Sequence, residues 1–149
     1  MKKIIVGLAV LLNVLTVHAA GKMPVSDKVL RSFQKEFAAA TNINWVSWNE
    51  KNIFQATFMY GGTQIDAYFD EEGNLLATSR SIAEQQLPIM IMKVLLTDYA
   101  PFTVRRAEEY TGDNVVYYLV IVYNDKESMI LKFSPNGDVQ RIKKVKNKN

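Results

Sequence analysis

Cysteine is absent from the 149-residue chain, and the single histidine is His18. Without cysteine there is no disulfide, no thiol nucleophile and no thiolate metal site. Past residue 18 there is no histidine either, which removes the commonest general base and the commonest metal ligand together. Ser-His-Asp and Cys-His catalysis and histidine-ligated zinc are therefore excluded. No catalytic residue, metal ligand or cofactor is expected, and the chain reads as a non-enzyme. An excess of one charge sign is also missing. The formal charge of +3 includes Lys2 and Lys3, and 16 basic against 15 acidic residues follow them. Five of those basic residues lie in the tail 141–149 (RIKKVKNKN), so the body is mildly acidic. That is not the footprint of a nucleic-acid binder. The tail is expected to be a frayed, soluble end. Its lysines would add on the order of 1 kcal/mol each at an anionic surface, too little for stable anchoring.

Among what is present, the N-terminus is informative first. Lys2 and Lys3 precede an almost unbroken apolar run, Ile4 to Val17, and small residues follow around Val17-His18-Ala19. This is the anatomy of a secretory signal peptide over residues 1–19, and the run is short for a membrane span. Export is expected, to the periplasm or beyond, with no stable membrane insertion after cleavage. Residues 20–149 are then one domain's length of chain.

The chain repeats itself. FQATFMYGGTQIDAYFDEEGNLLATSR (54–80) aligns with YLVIVYNDKESMILKFSPNGDVQRIKK (118–144) at an offset of 64 without a gap. Phe54, Ala56 and Phe58 meet Tyr118, Val120 and Val122. Ile65, Ala67 and Phe69 meet Met129, Leu131 and Phe133, and Gly73 meets Gly137. Internal repetition fixes architecture before anything else does. Each unit (about 25–82 and 83–145) opens on a helical stripe. In the first, Ser26-Asp27 caps a helix carrying Val29, Leu30, Phe33 and Phe37; in the second, Pro88 precedes Ile91, Met92, Leu95 and Tyr99. Period-two segments follow at about 44–49, 53–60, 63–69 and 75–80, then 103–110, 115–123, 127–133 and 139–145. The expected fold is α+β: a tandem repeat of helix plus four-stranded antiparallel meander, with two helices packed on one face of an approximately eight-stranded sheet.

FDEEGN (69–74) sets three carboxylates before a glycine, yet its counterpart FSPNGD (133–138) keeps the glycine and has none of the three acids at their positions. The shared requirement is a positive φ at a turn. An EF-hand counted from Asp70 would need glycine at 75 and glutamate at 81, where the chain has Leu75 and Ser81. The acids therefore read as turn residues.

Alternation then assigns two faces. The aligned apolar residues above face the helices. The opposite face carries Met59 and Tyr68 in the first unit and Tyr117, Leu119, Ile121, Tyr123 and Ile130 in the second. These seven are the candidate partner-binding residues, because an apolar patch on an open sheet face marks an interaction site or self-association. Trp45 and Trp48 fall on opposite faces, one of them in the core.

The FxxxF helix (Phe33, Phe37), the following Trp45, FQATF…AYFDEEGNLLAT, LPIMIMKVL…Y and YYLVIVY…LKFSPNGDV together resemble the PepSY-like family of small secreted proteins of Gram-negative bacteria. Its members are often described as resembling the β-lactamase inhibitor protein. The resemblance covers the mature chain and is carried by structural motifs. It implies the tandem repeat and a sheet face free to bind. PepSY domains are associated with peptidase propeptides and with peptidase inhibition or regulation, and the family offers no catalytic residue to carry over. The expected function is a non-catalytic periplasmic protein-binding module, an inhibitor or regulator of a secreted enzyme acting through the helix-free face. The alternative is a structural homo-oligomer using that face as its own interface.

Overall fold

A computed structural model describes residues 24–48, 52–112 and 114–147. The expected signal peptide, 1–19, lies outside them. The chain divides into two compact units, one ending at Thr78 and the other beginning at Ser79. The first holds helix α1 (Asp27–Glu36) and strands β1 (Thr41–Trp48), β2 (Ile53–Tyr60) and β3 (Thr63–Asp70); β4 (Leu75–Ile82) runs across the boundary. The second holds a short 3₁₀ turn (Glu84–Gln86), helix α2 (Ile89–Asp98) and strands β5 (Thr103–Gly112), β6 (Val115–Tyr123), β7 (Glu127–Phe133) and β8 (Val139–Lys146). The eight strands form an antiparallel sheet in simple sequence order.

The first unit is built on an aromatic cluster. Ser26 Oγ accepts from the Val29 N–H at the start of α1, and Asp27 and Lys35 complement the helix dipole at its two ends. Val29 and Phe33 are the residues of α1 that are buried. The Phe33 ring lies 5.0 Å from Phe58, 5.2 Å from Trp45, 5.5 Å from Phe37 and 6.2 Å from Phe69. Phe54, Ala56 and Ala67 complete the core, with Ile65 at its margin. In the second unit Leu87, Ile91 and Leu95 meet Ala107, Tyr118, Val120, Val122, Met129, Leu131 and Phe133. These are the helix-facing residues of the alternation.

Both glycine turns serve the same purpose. Gly73 N–H donates to Asp70 O (3.1 Å) and Asp70 N–H to Asn74 O (3.1 Å); Gly137 N–H donates to Ser134 O (3.0 Å) and Ser134 N–H to Asp138 O (2.9 Å). The glycines sit at φ 85° and 93°. A Cβ at Gly73 would stand 3.0 Å from Lys28 O, and one at Gly137 would stand 3.1 Å from Met90 O. So each turn rests on the backbone of the second residue of its unit's helix. Asp70 is a turn residue: its Oδ1 accepts from the Glu72 and Asn74 N–H groups and its Oδ2 from Asn74 Nδ2.

Three irregularities were not expected. β1 begins at Thr41, ahead of the expected 44, through a bulge that holds Asn42 at φ 54°. β5 shifts register between Val104 and Arg106, and β8 shifts opposite Ile130 and Leu131. The tail corrects another expectation. Arg141 to Lys146 is not frayed but paired with β7, with Lys144 Nζ 2.7 Å from Glu127 Oε2.

Because Lys28 and Met90 are equivalent, Asp27 corresponds to Ile89 and Gln34 to Leu96. Ile89 is 75% and Leu96 72% exposed, so α2 shows apolar side chains where α1 shows polar ones. Importing α1's residues as Ile89→Asp with Leu96→Gln should leave stability within about 1 kcal/mol in a urea melt and raise solubility.

Candidate binding face

The face of each unit that carries no helix has its own character. In the first unit register places Trp48 with Ile53, Gln55 with Val46 and Tyr68, and Thr57 with Asp66. A polar chain runs across it. Trp48 Nε1 donates to Gln55 Oε1 (3.2 Å), Gln55 Nε2 donates to Asp66 Oδ1 (3.0 Å), and Thr57 Oγ1 donates to the same oxygen. Trp45 is thus the core tryptophan and Trp48 the outer one, half-buried and held by an amide. Met59 is half-buried and pairs with Gln64, whereas Tyr68 is buried and pairs with Gln55, several rungs away. The structure does not bring these two candidates together.

In the second unit the five candidates do converge. Tyr117, Leu119, Ile121 and Tyr123 project in succession from β6, and Ile130 is the cross-strand partner of Ile121 on β7. On β5 the same face carries Tyr110, Glu108 and Arg106, paired with Tyr117, Leu119 and Ile121. On β7 and β8 it adds Ser128, Lys132, Gln140, Lys143 and Val145. Tyr117, Ile121, Tyr123 and Ile130 are half-buried, but Leu119 is only 6% exposed. In register it stands between Glu108 and Lys132, so long side chains flank it on both sides. Leu119 supports the platform from beneath and Ile121 is at its surface.

The tyrosines are held in defined orientations. Tyr110 and Tyr117 stack in parallel with centroids 5.0 Å apart. Lys132 Nζ lies 4.2 Å above the Tyr117 ring, and Arg105 Cζ lies 4.6 Å above Tyr123. Tyr110 OH donates to Glu108 Oε2 (3.0 Å), and Arg106 pairs with Glu108 Oε1. Alternation along 127–133 places Lys132 on this face, as the register shows; sequence reasoning missed Arg105, Arg106 and Tyr110, because only the register and the β5 bulge place them beside the apolar residues.

Adjacent on β5, Glu109 serves the helix-facing side. Its carboxylate accepts from Arg80 Nε (2.8 Å) and from Tyr118 OH (3.3 Å). Burial, reinforced by Glu109, raises the Tyr118 pKa above its usual value near 10. A phenol whose folded pKa is raised contributes stability that is full below the unfolded pKa. It is lost as pH rises from about 10 through the folded value. Denaturant melts between pH 9 and 11 should therefore show an alkaline loss of stability that Tyr118→Phe reduces.

No family model and no curated protein matches the chain. Its fold is shared with solved structures of Bacteroides proteins. A BLIP-like protein of Bacteroides fragilis superposes with a TM-score of 0.72 at 22% identity, over 87% of this chain and 92% of that one. A DUF2874 family protein of Bacteroides uniformis gives 0.71 at 15% identity, over 81% and 88%. A protein of Bacteroides eggerthii, provisionally named periplasmic, gives 0.71 at 14% identity, over 85% and 90%. The fold is therefore BLIP-like. No helix among the described residues is long and apolar enough to cross a membrane.

Proposed function

We propose that this chain is an exported, non-catalytic binding protein of the periplasm or the extracellular space. It holds a partner protein against the helix-free sheet face of its second unit. The observation that carries the reading is the ladder Tyr117, Ile121, Tyr123 and Ile130. This apolar and aromatic surface lies on the side of the sheet opposite α2, with its rings fixed by stacking and cation–π contacts. Fixed aromatic side chains lose little entropy on binding and are enriched at interfaces. The lack of cysteine and of any histidine beyond His18 supports a non-catalytic role. The apparent signal peptide supports export, as does the provisional periplasmic name of one structural neighbour. The offset repeat supports a PepSY-like tandem of helix-plus-meander units, and the resemblance makes a secreted peptidase or other enzyme the first class of partner to try.

Ile121→Asp is the variant that tests this. Ile121 is half-buried at the surface of the face, so the thermal melt should stay close to that of the wild type while capture of the partner from periplasmic extract is lost. Unfolding of the variant would show that Ile121 is core and would count against the reading. Wild-type self-association in sedimentation, abolished by Ile121→Asp, would assign the face to a homo-oligomer instead.

A further inference from the structure

The charges around this face bear on what it binds. The inference rests on the binding role proposed above and asks what chemistry the occupant has. Through the register, the face carries Arg105 and Arg106 on β5, Lys132 on β7 and Lys143 on β8. Glu108 is the carboxylate on the same rows, and it is already taken by Arg106 and by Tyr110 OH. Elsewhere in the unit Glu109 holds Arg80 and Glu127 holds Lys144. Among the described residues no ion pair reaches Arg105, Lys132 or Lys143. Two of these cations are held over tyrosine rings, and all three border the apolar centre formed by Ile121 and Ile130: Arg105 from β5, Lys143 beside Ile130 on β8, and Lys132 two residues along β7 from Ile130. The body of the chain is acidic overall, so this concentration of unpaired positive charge is local.

We propose that the occupant is an acidic protein segment. Its carboxylates meet Arg105 on one side and Lys132 and Lys143 on the other, and an apolar side chain lies between them on Ile121 and Ile130. Size agrees with a segment rather than a broad surface. From β5 to β8 is three strand spacings, ~14 Å, and from Tyr117 to Tyr123 is ~20 Å. The resulting patch is on the order of 300 Å², well below the roughly 800 Å² per partner of a standard interface. Charge also argues against a second copy of this chain. A two-fold dimer sets the same patch against itself, so unpaired cations would face unpaired cations across an apolar seam.

The test is a ¹⁵N–¹H NMR titration of the protein with three blocked hexapeptides, EEVLEE, QQVLQQ and KKVLKK, and with single-stranded oligothymidylate. EEVLEE should shift the amides of Tyr117, Ile121, Tyr123 and Ile130. It should bind about tenfold more tightly than QQVLQQ, the difference expected of three exposed charge contacts, and lose that advantage in high salt. Lys132→Glu with Lys143→Glu should transfer the preference to KKVLKK; an unchanged preference overturns the proposal. If QQVLQQ or KKVLKK binds the same amides as well as EEVLEE does, the acidic assignment falls and the binding face stands. Stronger shifts from oligothymidylate overturn it in favour of a phosphate ligand. If no peptide shifts these amides, the proposal is also overturned, and the binding role is then decided separately by Ile121→Asp capture.

Discussion

Phe33→Ala should unfold the first unit's core at a cost of about 3–5 kcal/mol, the range for removing a buried aromatic side chain. The Phe33 ring contacts four others, Phe37, Trp45, Phe58 and Phe69, and is 3% exposed. It is also the main anchor of α1, whose other buried residue is Val29. The surrounding rings are themselves wedged between strand and helix, so they cannot collapse far into the space. A cavity therefore remains, and its cost adds to the lost transfer energy. Phe33→Leu should recover much of the loss, because volume is largely kept. Urea denaturation followed by tryptophan fluorescence reads both, since Trp45 lies 5.2 Å from the deleted ring. A loss under 1 kcal/mol for Phe33→Ala would mean that α1 is not docked on this cluster.

Gly137→Val should be the other severe substitution. A β-branched residue at φ 93° is a backbone outlier, and holding a non-glycine residue there costs roughly 1–3 kcal/mol. The new side chain would also start 3.1 Å from Met90 O and 3.3 Å from Met90 Cβ, driving the turn away from α2. Overpacking of that kind adds roughly 1–3 kcal/mol more. Gly62 provides the control. It sits at φ 80° with nothing within 4 Å of its would-be Cβ, so Gly62→Val feels the backbone strain without the collision. The expected order in a denaturant melt is Gly137→Val well below Gly62→Val, and both below the wild type. Equal losses at the two positions would remove the turn-on-helix contact from the account. The same contact explains why the two turns keep glycine while their other residues diverge from DEE to SPN. φ and close approach constrain one position, whereas the acids in the first turn are free to differ: Asp70 closes the turn and Glu72 makes only an exposed ion pair with Lys28.

Much of this architecture was legible because its signals are periodic. Strict alternation in 53–60 and 115–123 assigned the helix-facing residues, and the Ser26 cap and Pro88 located both helix starts. What escaped depends on neighbours distant in sequence. Leu119 and Tyr68 sit at outward positions by alternation yet are 6% exposed, each on a strand flanked by neighbours on both sides. The bulges at Asn42 and between Val104 and Arg106 break the parity on which alternation relies. Arg105 stands over Tyr123 only because the second of these bulges turns it there. The exposed pair Ile89 and Leu96 was hidden for the opposite reason. α2 is apolar nearly all round, so a stripe drawn through Ile91 and Leu95 leaves its outer residues unremarked. The basic tail carried two signals, charge and alternation. Charge pointed to a frayed end, but pairing with β7 decided the matter, and lysines on an edge strand also discourage further strand addition.

The central claim is that the second unit meets its partner through the helix-free face. Site-specific photocrosslinking tests it most directly. A benzophenone side chain is placed in turn at Tyr123 on that face, at Leu96 on the outer surface of α2, and at Gln34 on α1, in cells that export the protein. The account predicts one discrete adduct with a different protein from Tyr123, lost when Ile121→Asp is added, and none of that mass from Leu96 or Gln34. An adduct of the same mass from the helix positions, or none from Tyr123, would contradict it.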